Sequence, residues 1–309
     1  MNIIQRPSYK SWVLGQLAQE LQKRLKNFRI KIVNVPLNRR EIRSWNGTIK
    51  LPKSDVNLFL HHDLALVAIK KSWLSSNNSK NIIYFTHLNG TERELVYFQD
   101  CFKILLVNNS QTRTSIEHLG IKHPKILVNP NPTDEIFFFP YPNNPKRDVI
   151  FVGDYVTRKR PDLILKTVQA NPELTFTLLG RNWRSSLELK VLKGCGNFNF
   201  QDFQFSKYPE NLRDHKVFCT LSDIEGGPVP LLESLISGLA IVATDTGTAR
   251  DLIPIADQSN IIPIDPDTSQ ITQAIHDALS RTPAPFFIKE EYFYEGFAKM
   301  VEREISFLS

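Results

Sequence analysis

The sequence predicts an α/β protein built from two Rossmann-like halves, each a parallel sheet covered by helices. Three observations predict it. Short apolar runs alternate with segments whose apolar residues recur every three or four positions, once before residue 130 and again after residue 147. Between the two series lies a proline-rich connector, with Pro130, Pro132, Pro140, Pro142 and Pro145 around Asn143-Asn144. The stretch 216–253 reads as a complete strand–helix–strand unit. A chain of 309 residues is long enough for two cores. The expected division is a first domain over 1–142, a second over 147–285 and a C-terminal helical segment over 286–309.

Element by element, a short lead precedes a helix over 12–26, where Leu14, Leu17, Leu21 and Leu25 share a face. A strand follows over 29–35, then a charged loop over 36–52. Strands are expected at 56–60, 81–85, 102–107 and 125–129, and helices at 63–74 and 110–119, the latter stopped by Gly120. After the connector come a strand at 148–152, a helix at 162–170 and a strand at 175–179, then an irregular stretch to about 206. Beyond the 216–253 unit lie a strand at 261–264, a helix at 268–279 and an amphipathic helix at 290–307.

The 216–253 unit organises the second half. Val217-Phe218-Cys219-Thr220-Leu221 reads as a buried strand, and a helix starts near Pro228 or Pro230, since proline tolerates the first helical turn. Leu231, Leu232, Leu235, Ile236 and Leu239 give its apolar face, Gly238 its end, and Ala240-Ile241-Val242-Ala243 the next strand. The loop before such a helix lies at the carboxyl edge of the sheet, where open α/β proteins bind ligands. The N–H groups of Gly226, Gly227, Val229 and Leu231 can face an anion, aided by the helix dipole. Glu225 and Glu233 flank them; carboxylates accept hydrogen bonds and suit hydroxyl-rich groups. The same glutamates also suit a helix N-terminus without any ligand.

The wording of the stretch is more specific. Glu225-Gly226-Gly227-Pro228-Val229-Pro230-Leu231-Leu232-Glu233 resembles the E-x7-E signature of retaining glycosyltransferases of the GT-B fold that use nucleotide sugars (glycosyltransferase family 4). Ser237-Gly238-Leu239-Ala240-Ile241-Val242-Ala243-Thr244-Asp245-Thr246-Gly247 is similar to that family's continuation. The resemblance implies two Rossmann-like domains facing across a cleft, the first taking the acceptor and the second the nucleotide-sugar donor, with the C-terminal helix crossing back to the first domain. It implies that Glu225 binds the donor sugar and Glu233 the ribose.

Gly153-Asp154-Tyr155-Val156-Thr157-Arg158-Lys159-Arg160-Pro161 lies between a strand and a helix, a natural place for cations facing a diphosphate. It resembles the family's G-R-L-x-x-x-K-G loop. Lys159 falls on the lysine position, whereas Asp154 stands where an arginine is expected, leaving Lys159 with Arg158 to neutralise the phosphates. Phe85-Thr86-His87 is similar to the family's T-x-H position, making His87 the acceptor-side candidate. Of the family's Gly-rich loop only Gly15 is present. His61-His62-Asp63 also closes a strand but lacks the spacing of a metal motif such as H-E-x-x-H. Asp265-Pro266-Asp267 looks like a D-x-D metal motif, but its place before Thr268 suits helix capping. No metal and no cofactor beyond the donor substrate is expected.

Apolar residues make up 41% and charged residues 23%, a soluble globular composition. No transmembrane run or signal-peptide core is apparent. Cys101, Cys195 and Cys219 are too scattered for a disulfide framework, so the cytoplasm is expected. Residues 1–146 hold 21 Lys+Arg against 10 Asp+Glu, a formal +11, and residues 147–309 hold 17 against 22, a formal −5. The basic half fits an anionic inner-membrane face, through Lys23, Arg24, Lys26, Arg29 and Lys31 or Arg39, Arg40 and Arg43, or simply a solvated surface. No nucleic-acid-binding pattern is apparent.

The reading is a metal-independent transfer of a sugar from a nucleotide-diphosphate donor to a glycan or lipid-linked acceptor hydroxyl, with retention. A hydrolysing sugar-nucleotide 2-epimerase of the same fold and a non-catalytic sugar-nucleotide-binding module stay open beside it.

Overall fold

The computed structural model describes residues 1–8, 13–36, 51–72, 80–122, 124–138 and 145–308. Much of the expected connector, the charged loop 37–50 with Arg39, Arg40 and Arg43, and residues 139–144 lie outside them. The chain forms two compact units, Met1–Pro132 with Lys289–Ser309, and Thr133–Ile288.

The first unit holds a six-stranded, wholly parallel sheet in the order β2-β1-β3-β4-β5-β6. Its strands are β1 (Asn2–Gln5), β2 (Lys31–Asn34), β3 (Val56–Phe59), β4 (Lys80–Phe85), β5 (Ile104–Val107) and β6 (Lys125–Val128). Helices α1 (Val13–Arg24), α2 (His62–Lys70) and α3 (Ser110–His118) follow β1, β3 and β5. The expected lead is therefore a strand. Asn2 carries little β propensity, but its side chain donates to Asn57 Oδ1 at 3.0 Å, and Asn57 donates in turn to Asn81 Oδ1 at 3.0 Å. This amide ladder runs across paired positions of β1, β3 and β4 and satisfies buried polar groups that would otherwise be costly. Only tertiary pairing creates it. Residues Thr91–Cys101, for which the sequence predicts no element, form 3-10 turns.

Helix α10 (Tyr294–Ser306) belongs to this first unit. Phe297, Val301 and Ile305 recur every four residues, are buried, and share a core with Leu17 and Leu21 of α1 and Ile3, Phe59 and Ile83 of the sheet. Lys125 Nζ reaches Glu304 Oε2 at 2.5 Å beside them.

The second unit repeats the architecture in the order β12-β11-β10-β7-β8-β9, again wholly parallel. Its strands are β7 (Arg147–Val152), β8 (Phe176–Gly180), β9 (Phe198–Asp202), β10 (His215–Thr220), β11 (Ala240–Thr244) and β12 (Ile261–Ile262). Helix α4 is Pro161–Ala170, α5 Leu187–Leu192, α6 Tyr208–Arg213, α7 Val229–Ile236, α8 Ala249–Leu252 and α9 Thr268–Ser280. The stretch expected to be irregular thus contains α5 and β9. Beta-strand β9 lies at the sheet edge, paired to β8 alone, so only half its surface is buried and its apolar signal is weak. Val149, Phe151, Leu178, Val217, Cys219 and Val242 fill the core.

This order places the site. The chain winds outward from β7 through β8 to β9, then returns and winds the other way from β10 through β11 to β12. Strands β7 and β10 are neighbours, so the sheet's direction of winding reverses between them, and the carboxyl ends of such a pair are where open α/β sheets form ligand crevices. In the first sheet the same reversal falls between β1 and β3.

Candidate functional site

Two loops meet at the β7/β10 crevice. After β7, residues Thr157–Lys159 form a single 3-10 turn ahead of α4. After β10, residues 221–228 lead into α7, which begins at Val229 with Pro228 as its cap, as expected. Asp223 N–H donates to Arg158 O at 2.9 Å, and Arg158 Nη1 donates to Ile224 O at 3.0 Å, joining the two loops.

Glu225 sits at this junction with its side chain only 9% exposed. Arg158 Nη1 and Lys159 Nζ each lie 2.6 Å from the same oxygen, Glu225 Oε1. The coulombic pull of Lys159 and then Arg158 is the larger part of this pairing, with hydrogen bonding from Lys159 and Ser222 adding to it. Burial alone would raise the Glu225 carboxyl's pKa; Lys159 and Arg158 outweigh it and hold the carboxyl below its usual range. Two backbones come close around this group. A Cβ at Gly153 would lie 3.2 Å from Lys159 Cε, so a bare α-carbon there lets the lysine stem cross the end of β7. Gly247, at φ 58°, packs its backbone on Glu225, where a Cβ would come within 3.1 Å of the Glu225 Cβ.

Glu233, about one turn into α7, faces inward and is buried. Its Oε1 accepts from Thr133 Oγ1 at 2.8 Å, and the Tyr208 hydroxyl faces the same carboxylate. Burial pushes the Glu233 carboxyl up to about 7, against the pull of Thr133 and Tyr208, with Asp134 adding to the rise. Glu225 and Glu233 are therefore opposites: one an anion clasped by cations, the other a buried acid near its titration point. Between them, Gly226 is buried and Gly227 half-buried in the loop, and Val229, also half-buried, opens α7. The Leu231 N–H is not available to an anion, because it donates to Pro228 O at 3.0 Å, which corrects the expectation for that amide.

Further charged residues at this edge pair with one another. Asp154 accepts from Arg181 Nε at 3.0 Å, so the position where a cation was missed holds one beside it. Arg160 contacts Asp162, Asp223 and Asp265. Asp267 caps α9 in a reciprocal capping box with Gln270, as its place before Thr268 suggested. Contacts across the sheet, rather than any local motif, define Thr133, Tyr208 and Arg181.

In the first unit, His61, His62 and Asp63 follow β3 and His87 follows β4. His61 and His62 are stacked with centroids 4.4 Å apart, and the His87 ring meets His61 edge-on at 5.4 Å. His87 is exposed, with Thr86 Oγ1 at 3.0 Å from its Nδ1. Asp63 accepts from Thr91 Oγ1 at 2.5 Å and from Asn89 Nδ2 at 3.1 Å. Burial, reinforced by His62, pushes His61 down to about 3 despite Asp63, and burial likewise lowers His62. Both rings are thus neutral near pH 7. Ligating atoms of His61, His62 and Asp63 fall within 4.8 Å of one another, a convergence that linear spacing did not suggest. A divalent cation there would have to displace the Thr91 and Asn89 donors.

A cavity of about 570 Å³ in the second unit opens at the opposite, amino edge of the sheet, beside His215, Leu239, Ile253 and Arg281. None of the site residues lines it, and the crevice at the carboxyl edge is where the chemistry-bearing groups converge. Among the described residues no helix is long and apolar enough to cross a membrane.

Solved structures share this fold. The chain is similar to the apo lipopolysaccharide outer core galactosyltransferase WaaB (14% identity, TM-score 0.68, all of both chains) and to Alr3699/HepE of Anabaena in complex with UDP-glucose (12% identity, TM-score 0.69, 99% and 98% of the two chains). The architecture is that of GT-B glycosyltransferases. In sequence, 152 residues are 29% identical to the O-antigen biosynthesis glycosyltransferase WbnH of Escherichia coli; that match spans 48% of this chain and 44%, less than half, of the relative. The family described as Glycosyl transferases group 1 matches residues 132–292, just over half of the chain and the whole of the crevice described above, and the protein belongs to that family.

Proposed function

We propose that the protein transfers a sugar from a nucleotide-diphosphate donor to a hydroxyl of a growing cell-surface glycan of the O-antigen type, retaining the anomeric configuration and using no metal. The observation that carries this reading is the β7/β10 crevice, where Lys159 and Arg158 both rest on Glu225. In transfer, the bond from the sugar's anomeric carbon to the diphosphate oxygen breaks as the acceptor oxygen bonds to that carbon. The acceptor's proton passes to the departing phosphate. Negative charge grows on the diphosphate, and Lys159 and Arg158, carried on a short turn, can swing their charged ends from Glu225 towards it; cations placed where negative charge develops usually give the largest catalytic contribution. Glu225, so released, accepts hydrogen bonds from the sugar hydroxyls. Gly226, Gly227 and Val229 line the diphosphate's path.

Glu233 is assigned to the ribose hydroxyls, for which it must exchange its Thr133 partner. His87, exposed at the end of β4, is assigned to the acceptor. The O-antigen assignment rests on the name of the Escherichia coli relative.

The test is calorimetric binding of a nucleoside diphosphate and of its sugar, with turnover measured in EDTA. Glu225→Gln is expected to leave diphosphate binding nearly intact and to lower transfer about tenfold or more, the worth of a charged hydrogen bond. Binding without turnover on any glycan acceptor would point to a binding module, and acceptor-independent release of an epimerised sugar to an epimerase. Activity lost in EDTA and restored by Mg²⁺ would overturn metal independence.

A further inference from the structure

Arg160 follows Lys159 in sequence and attracted notice only as one more charge in a basic turn. Its backbone lies at φ 51°, ψ 59°, the left-handed region that disfavours any residue with a Cβ. Something must hold it there. Nε and Nη2 grip the two oxygens of Asp162 at 3.0 Å each, a fork-to-fork pair, while Nη1 reaches Asp223 Oδ1 at 3.0 Å and Asp265 Oδ1 at 2.7 Å. Asp162 opens α4, Asp223 lies in the loop after β10, and Asp265 follows β12. One guanidinium, 17% exposed, thus ties together three loops of the carboxyl edge. Asp265 is itself left-handed, at φ 59°. Of the four non-glycine residues with positive φ among the described residues, two meet in this single contact. Hydrogen bonds to Asp162 first, then to Asp265 and Asp223, raise the guanidinium's pKa further above its ordinary value, so it carries its charge at every accessible pH.

The clamp bears on the crevice directly. Arg158 and Lys159 reach Glu225 from a turn only three residues long, and its downstream end is Arg160. The Asp223 side chain holds Arg160 while its N–H holds Arg158 O, so the two loops are joined in the middle of the turn and at its downstream end. We propose that Arg160 is a positioning residue of the donor site, clamping the turn that carries Arg158 and Lys159 against the loop that carries Glu225. The diphosphate then meets a turn already in place beneath both cations, and less ordering remains for binding to supply. This inference rests on the reading of the crevice as a nucleotide-sugar site. Lysine could not substitute, because a single ammonium cannot fork across Asp162 and also reach two further carboxylates. The Asp265-Pro266-Asp267 motif acquires a role without a metal: Asp265 serves the clamp and Asp267 caps α9.

Arg160→Gly removes the clamp while suiting the left-handed backbone, and Arg160→Lys keeps one charge. Two quantities separate the outcomes. Amide hydrogen exchange over residues 154–160 and 222–226 needs no ligand; calorimetric affinity for UDP, GDP and ADP reports the site. In Arg160→Gly, exchange in both segments is expected to rise about tenfold and affinity for the preferred diphosphate to fall about tenfold, with Arg160→Lys between it and the unaltered protein. Asp265→Asn should reproduce part of the effect and add little to Arg160→Gly, since both remove one network. Unchanged exchange in Arg160→Gly overturns the proposal. Faster exchange with unchanged affinity overturns it as well, because the clamp would then be structural only. If the unaltered protein binds none of the three diphosphates, the donor-site reading fails and Arg160 loses its positioning role with it, while the exchange result still shows whether the clamp exists.

Discussion

The carboxyl edges of the two sheets are built alike and charged differently. Each lies where the strand order reverses, at β7/β10 in the second unit and at β1/β3 in the first. In the second, Lys159 and Arg158 hold the Glu225 carboxyl below its usual range, and Arg160 with three aspartates lies beside them. In the first, His61 and His62 are buried beside Asp63 and held neutral, with His87 exposed at the rim. Desolvation penalises any charge; which groups stay ionised depends on whether a counter-charge sits within contact distance. The second edge suits a ligand that brings multiple negative charges. The first suits one that brings neutral hydroxyls.

The sharpest break in this comparison is Lys159→Ala. If the second edge works by fixed positive charge, removing the lysine lowers transfer about a hundredfold or more. It should also weaken nucleoside-diphosphate binding, since Arg158 is half-exposed and solvates its own charge well. Steady-state turnover beside calorimetric titration measures both, and equal activity in the variant would remove charge from the account of that edge.

Glu233 supplies the next test, within the same unit. Its carboxyl stands at about 7 when folded against an ordinary 4.5. The native state therefore binds the extra proton more tightly than the unfolded chain between those values. The sign follows: stability from this group is full below pH 4.5, declines as pH rises, and is gone above about pH 7. The amplitude is up to about 3 kcal/mol, at 1.36 kcal/mol per pKa unit. Glu233→Gln, which keeps an acceptor for Thr133, should flatten this slope in urea titrations between pH 5 and 8. A slope unchanged by the substitution would mean that the proton resides elsewhere.

The last test belongs to the first edge and has the opposite sign. His61, ordinarily at 6.5, falls to about 3 in the folded state, so the unfolded chain binds its proton more readily. Stability from this group is present above pH 6.5 and lost as pH falls towards 3. His61→Gln is expected to slow the acid-induced rise in hydrogen exchange of β3 and β4. Exchange that climbs equally in both proteins below pH 6.5 would show that His61 is not the group responsible.

Legibility followed locality. Helix α7 was readable to the residue near its start because Pro228, Pro230 and a leucine periodicity all lie within one turn or two of each other. Lys159 and Glu225 were readable as candidates for the same reason, each sitting in a short loop between a strand and a helix. Arg160 was not, because its three partners stand two, 63 and 105 residues away along the chain. Strand β1 was hidden in Asn2–Gln5 because its evidence is a side-chain ladder to Asn57 and Asn81. Glu233 shared a motif with Glu225, yet nothing in the spacing told an inward-facing acid, its pKa raised by burial, from a clasped anion.

The sequence by itself determined the α/β class, the order of most strands and helices, and the loops in which Glu225, Lys159 and His87 sit. These depend on periodicity, on proline and glycine at element ends, and on short-range chemistry that a chain displays wherever it goes. The tertiary structure alone decided which loops become neighbours, and hence which charges survive burial. Pairing β7 with β10 brings Lys159 and Arg158 to within 2.6 Å of Glu225, whereas Glu233, eight residues further on, turns inward to Thr133 and Tyr208. An ionisable group's state is set by its surroundings within a few ångströms, and those surroundings come from parts of the chain far apart in sequence.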